Sequence, residues 1–141
     1  LVTFGYTGCP DVCPTTMLEL KEVLALLGEA RAAKLQPIFM TVDPQRDTPA
    51  VLDAYARGFD ARILALGGSE ALVRRAADAF RVSYEQVREP GAAADAYTID
   101  HTVGLFLLGP DGQLLERIAY GTPAREIAAR VEAWMSAAAA R

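Results

Sequence analysis

The stretch Val2-Thr3-Phe4-Gly5-Tyr6-Thr7-Gly8-Cys9-Pro10-Asp11-Val12-Cys13-Pro14 decides how this chain is read. Its first five residues are apolar, β-branched or aromatic around one glycine, which is strand composition. After Pro14, Met17, Leu20, Val23, Leu24 and Leu27 recur at helical spacing. Cys9 and Cys13 therefore lie between the exit of a strand and the start of a helix, and they are the chain's two cysteines. Ligands of α/β sheets collect outside the carboxyl ends of strands, so this junction is the first candidate site.

The same junction predicts the state of Cys13. Thr48-Pro49 and Thr122-Pro123 each precede an apolar helical pattern, with threonine suited to the N-cap and proline to the first helical position. Cys13-Pro14 occupies the same two slots. A cysteine there faces unpaired N–H groups and the positive end of the helix dipole, which favour the thiolate. The thiolate serves equally as nucleophile and as metal ligand.

Outward from this junction the elements alternate. Strands are expected at Leu1–Tyr6, Gln36–Val42 and Arg62–Leu66, with helices from Pro14 to about Arg31, from Thr48 to near Gly58, and through Leu72, Val73, Ala76, Ala77 and Phe80. Between Val82 and Tyr97 the pattern weakens around the turn Glu89-Pro90-Gly91, which predicts a loop or irregular hairpin. Val103–Leu108 and Gln113–Ala119 flank the tight turn Gly109-Pro110-Asp111-Gly112 as an antiparallel pair, and a last helix runs from Pro123 to about Met135. The order β-α-β-α-β-α-β-β-α implies an α/β domain with a central, mostly parallel sheet, a C-terminal antiparallel hairpin and helices on both faces. A cysteine motif at the first strand-to-helix junction of such a unit points to a thioredoxin-like fold.

Composition bounds the rest. The 141 residues read as one domain, residues 1–141, and 52% hydrophobic content supplies a core that needs no disulfide staples. A net charge of −4 without a basic stripe argues against nucleic acid as partner. No apolar run is long enough to span a bilayer, and there is no signal peptide. The chain starts at Leu1, without Met, at or just before a strand, and so reads as a fragment or trimmed piece, in which the absence of an anchor or signal says little about the parent protein.

His101 is the single histidine, in Asp100-His101-Thr102 just before the strand Val103–Leu108. In a thioredoxin-like sheet that strand neighbours the first, which brings His101 toward the cysteine loop from the opposite side. Two thiols and one imidazole form a soft donor set of the kind that selects Cu(I) over hard cations; zinc with water in an open position is the alternative. Asp11, Asp43, Arg46, Asp47 and Asp100 crowd the same junctions. They read as capping and turn residues, or as groups that orient His101 or dock a partner. Asp100 and His101 are adjacent in extended chain and point to opposite sides. Tyr6, Tyr55 and Tyr97 read as packing residues.

Three motifs, taken together, resemble the Sco/SenC family: Phe4–Pro14, Thr41-Val42-Asp43-Pro44-Gln45-Arg46-Asp47-Thr48-Pro49, and Asp100-His101-Thr102 followed by Leu108-Gly109-Pro110-Asp111-Gly112. The resemblance implies a thioredoxin-like copper metallochaperone with copper held by Cys9, Cys13 and His101, as Cu(I) by preference and with Cu(II) also accommodated. It implies a role in assembling the binuclear copper centre of cytochrome c oxidase, by delivering copper to the copper-bearing subunit, by reducing that subunit's cysteines, or both. An upstream copper donor would then be a second partner. It also implies a domain on the periplasmic face of the bacterial inner membrane, or in the mitochondrial intermembrane space, tethered by an N-terminal anchor. That anchor and an N-terminal hairpin are missing from this chain, and loss of the hairpin leaves a sheet edge exposed. Gly8 stands where many members carry a larger residue. The competing expectation is a thiol–disulfide reductase or redox sensor working through a Cys9–Cys13 couple.

Overall fold

The structure is a computed structural model that describes residues 1–140. Its elements run β1 (Val2–Gly5), α1 (Val12–Ala32), β2 (Ile38–Thr41), α2 (Pro49–Phe59), β3 (Leu64–Leu66), α3 (Glu70–Phe80), β4 (Tyr84–Arg88), β5 (Tyr97–His101), β6 (Leu105–Leu108), β7 (Leu114–Ile118) and α4 (Ala124–Ala139). Five strands form one sheet in the order β3-β2-β1-β6-β7. β1, β2 and β3 pair in parallel, joined by α1 and α2, while β6 runs antiparallel to β1 and β7 antiparallel to β6. The expected α/β sheet with a closing hairpin is therefore present.

Alternation along β1 sorts the helices onto the two faces. Phe4 meets Phe80 of α3 at 5.3 Å between ring centroids, and Phe80 meets Phe106 of β6 at 5.2 Å, both edge-on. The next residue, Gly5, backs onto Cys13 of α1 and the Phe39 ring on the other face. There α1 buries Met17, Leu20, Val23, Leu24 and Leu27, and α4 packs alongside with Ile127, Ala128 and Val131 buried. Each fully buried Leu in this layer contributes roughly 1.5–3 kcal/mol. Gly28, with φ at +77°, kinks α1 near its end.

Three expectations are corrected. The segment Val82–Tyr97, expected as a loop or irregular hairpin, contains a regular strand: β4 pairs with β5 as an antiparallel ribbon, from Tyr84 opposite His101 to Arg88 opposite Tyr97, and residues 89–96 form the loop between them. Strict alternation stabilises it, with Tyr97 and Ile99 buried and Thr98 and Asp100 exposed. Helix α1 starts at Val12, with Asp11 at the N-cap, so Cys13 is the second helical residue rather than the cap. Pro14 is then the third helical residue, still inside the first turn, where a missing N–H costs no intrahelical bond. At α4 the N-cap is Pro123, not Thr122, because the Thr122 hydroxyl donates back to the Ala119 carbonyl. Thr48 does cap α2, accepting from the Val51 N–H. No helix among the described residues is long and apolar enough to cross a membrane.

Candidate metal centre

The parallel order of β1 and β2 puts both of their exits at one end of the sheet, and the site is built there. Cys9 follows β1 in a turn closed by its own N–H donating to the Tyr6 carbonyl at 3.2 Å. The Cys13 N–H, in the first turn of α1, points at the Cys9 sulfur 3.5 Å away. Cys13 is 2% exposed because its sulfur lies against β1 where Gly5 has no side chain; a Cβ at Gly5 would stand 2.6 Å from that sulfur. A glycine inside a strand marks such a close approach. Both cysteines are free thiols.

His101 arrives from the ribbon, at the end of β5. Its Nε2 lies 3.7 Å from the Cys13 sulfur, and its Nδ1 lies 3.0 Å from the Thr102 carbonyl oxygen. A carbonyl only accepts, so Nδ1 carries a proton, and Nε2 is the ring nitrogen turned toward the Cys13 sulfur. One donor atom from each of Cys9, Cys13 and His101 lies within 4.8 Å of the others. Two soft sulfurs and a correctly oriented imidazole nitrogen suit a thiophilic ion, and the Thr102 carbonyl is the outer partner that orients a histidine ligand.

The electrostatics overturn one expectation. Burial pushes the Cys13 thiol up to about 12, reinforced by the neighbouring Cys9 and opposed by the Tyr6 backbone. The helix terminus alone favours the thiolate, yet its effect is worth at most about 2 kcal/mol and is outweighed by loss of water. Cys13 is therefore a thiol at neutral pH until an ion displaces its proton.

Around these three residues, the segment between β2 and α2 does more than cap and turn. Asp47, 4% exposed, accepts from the Thr7 N–H at 3.1 Å, the Thr7 hydroxyl at 2.5 Å and the Thr41 hydroxyl at 2.6 Å, tying the cysteine loop to β2. Asp43, 1% exposed, accepts from the Tyr97 hydroxyl and from Arg46 Nε, each at 2.5 Å. Tyr6 and Tyr97 are thus more than packing residues: the Tyr6 hydroxyl accepts the Ile99 N–H at 3.1 Å, and its ring meets His101 edge-on at 6.0 Å. Tyr55 does pack, between Phe39 and Phe59. Asp100 sits on the exposed outer face of the ribbon opposite Glu85, and Asp11 is exposed at the mouth of α1, so neither faces the imidazole. The pair Asp43 and Asp47, four apart at a strand exit, was the sequence signal for this scaffold. A groove of about 620 Å³ lined by Leu1, Leu35, Leu107, Leu115, Trp134 and Met135 lies at the other end of the strands and offers neither thiol nor imidazole.

Fold and site together define a thioredoxin-like domain with a buried two-thiol, one-imidazole centre at the sheet's carboxyl end. The chain belongs to the SCO1/SenC family, whose profile matches residues 1–136. It is 35% identical over 138 residues to the human "Protein SCO2 homolog, mitochondrial", covering 97% of this chain and 51% of that protein. The structure of Bradyrhizobium japonicum ScoI with copper bound superposes with a TM-score of 0.83 at 36% identity, covering 94% of this chain and 82% of that one. Yeast Sco1 with copper bound gives 0.85 at 30% identity, covering 96% and 74%. The chain spans 51% to 61% of the length of curated relatives from cattle and Rickettsia prowazekii.

Proposed function

We propose that this domain is a copper carrier that holds Cu(I) through Cys9, Cys13 and His101. The observation that carries the reading is the convergence of three soft donor atoms within 4.8 Å, with Nε2 of the imidazole already facing the Cys13 sulfur. Copper in two family structures of the same fold supports it. Three ligands rather than a closed set of four leave a position through which an acceptor can take the ion. Cu(II) can occupy the same donors with a different geometry. The copper is cargo, and the acceptor we assign is the copper-bearing subunit of cytochrome c oxidase, with an upstream donor loading the domain. We place this exchange at the periplasmic face of the inner membrane, or in the intermembrane space if the chain is eukaryotic.

A second reading is favoured by the proximity of the Cys13 N–H to the Cys9 sulfur, which keeps the two sulfurs together. Attack on an acceptor disulfide by one thiolate forms a mixed disulfide, and the other cysteine resolves it. Two electrons and two protons pass to the acceptor, giving it two thiols, and the Cys9–Cys13 disulfide closes. The same event removes two copper ligands, so delivery and reduction are linked.

An anaerobic Cu(I) competition titration of the reduced protein beside His101→Ala tests the proposal. One tightly held copper per wild-type chain, clearly weakened in the variant, is expected. Reactive thiols without tight copper would overturn the carrier and leave the reductase.

A further inference from the structure

The two halves of the site hang on different supports. Cys9 and Cys13 belong to the β1–α1 junction of the main sheet. His101 belongs to a two-stranded ribbon that pairs with no strand of that sheet among the described residues. The ribbon's own base is closed by Ser83 and Thr102, whose backbones bond at 2.9 Å. Something else must hold its inner face against the body.

That face carries Tyr97, Ile99 and His101 in alternation. Tyr97 is gripped on three sides. Its hydroxyl donates to buried Asp43, its carbonyl accepts from Arg46 Nη1 at 2.9 Å, and the Arg46 guanidinium stacks over its ring at 3.7 Å. Arg46 Nη1 also reaches the Asp95 carbonyl at 3.1 Å, and Arg46 Nε closes the circuit on Asp43. A buried carboxylate paired with a guanidinium and a phenol is a stiff unit, because each charged group has its partner and losing one orphans the other.

The geometry points to Asp43, Arg46 and Tyr97 as positioning residues that hold the β4–β5 ribbon, and with it the His101 imidazole, against the two thiols. The inference rests on the three-ligand reading above and adds a division of labour to it. The short segment from Asp43 to Asp47 holds both halves: Asp47 fixes the cysteine loop through Thr7, and Asp43 fixes the histidine ribbon through Tyr97. The two aspartates are linked, since the Asp47 N–H donates to the Asp43 carbonyl at 2.9 Å. The clamp acts from about 14 Å along the strand, four residues from the ligand at roughly 3.4 Å per residue. It touches none of the donor atoms. When the clamp loosens, the ribbon moves away as a unit and leaves a two-thiol site.

Tyr97→Phe removes one hydroxyl and keeps the ring under Arg46; Arg46→Lys keeps the charge and removes the planar fork. Two measurements separate the clamp from the metal reading. In the reduced, metal-free protein, amide hydrogen exchange at Ile99 should speed up in both variants while amides of β1 and α1 stay unchanged. In the Cu(I) competition titration, Tyr97→Phe should weaken binding by about 10-fold, the low end for residues outside a metal's ligand set, and by less than about 2-fold when His101 is already alanine. Unchanged Ile99 exchange in both variants would overturn the clamp. Faster exchange with an affinity loss that persists in full in the His101→Ala background would overturn the positioning role. Equal copper affinity in wild type and His101→Ala would break the ligand reading and sever the clamp from metal binding, while the exchange result still decides whether the clamp exists.

Discussion

The cysteine half and the histidine half of the centre are built to different standards. The cysteines are packed into the domain's core, with Cys13 pressed against β1 at Gly5 and the loop before Cys9 tied down by Asp47. The histidine stands on a ribbon whose outer face is exposed and which holds to the body through two buried side chains, Tyr97 and Ile99, and polar contacts from Asp43, Arg46 and Tyr6. The difference teaches how a site can be preformed and still release an ion. On the proposed reading the third ligand hangs on the less anchored support, and segments of low local stability are where ligands are admitted and released.

The largest effect that sharpens this comparison lies in the ligands themselves. Cys13→Ser should weaken Cu(I) binding by more than about 100-fold, beyond the range for residues outside the ligand set, and His101→Ala by less. Equal losses in the competition titration would show that the two halves contribute alike. Next comes stability. Asp47→Ala leaves one buried and two part-buried donors without their acceptor and should lower unfolding free energy by about 3 kcal/mol in urea titrations, against about 1 kcal/mol for Tyr97→Phe. A reversed order would place the firmer support under the ribbon.

The pH dependence reports on both halves, since burial pushes up the Cys13 thiol and, on the ribbon, the Tyr97 hydroxyl. Because the native Cys13 thiol is held up to about 12 by burial, the unfolded chain loses this proton at lower pH than the native one does. Above the ordinary thiol range the native state therefore binds more protons, and stability falls as pH rises from about 9 toward 12. Cys13→Ala should be less stable at neutral pH yet flatter across this limb, whereas His101→Ala should keep the wild-type slope. A Cys13→Ala profile parallel to wild type would mean that the thiol is not buried as described. Two glycines three residues apart give unequal effects, and the second is the smallest of all. Gly5→Ala drives a Cβ to 2.6 Å from the Cys13 sulfur and 2.9 Å from the Phe39 ring, and such overpacking costs about 1–3 kcal/mol. At Gly8 a Cβ meets the Tyr6 ring at 3.7 Å, ordinary contact, so Gly8→Ala should stay within about 0.5 kcal/mol by thermal or urea unfolding.

What the sequence determined by itself was the order of elements, the strand-to-helix position of the cysteines and the identity of the soft donors. Each depends on local pattern: apolar periodicity for α1, turn residues at the β6–β7 hairpin, the spacing of Cys9 and Cys13. The β4–β5 ribbon was harder to read, since Glu85, Gln86, Val87 and Arg88 carry little apolar contrast and the strand's partner lies beyond Gly91. Its signal was the alternation Tyr97-Thr98-Ile99-Asp100-His101, half of it polar. The tertiary structure alone decided that Cys13 is a protonated thiol, because burial is a property of everything packed around a residue and the helix terminus is only one contributor. It alone turned Tyr97 from a packing residue into a clamp, because Asp43 and Tyr97 are far apart in the chain and meet only when β2 and the ribbon are brought to the same end of the sheet. Residue type specifies what chemistry a side chain can perform; the fold supplies the neighbours that select which of those chemistries is available.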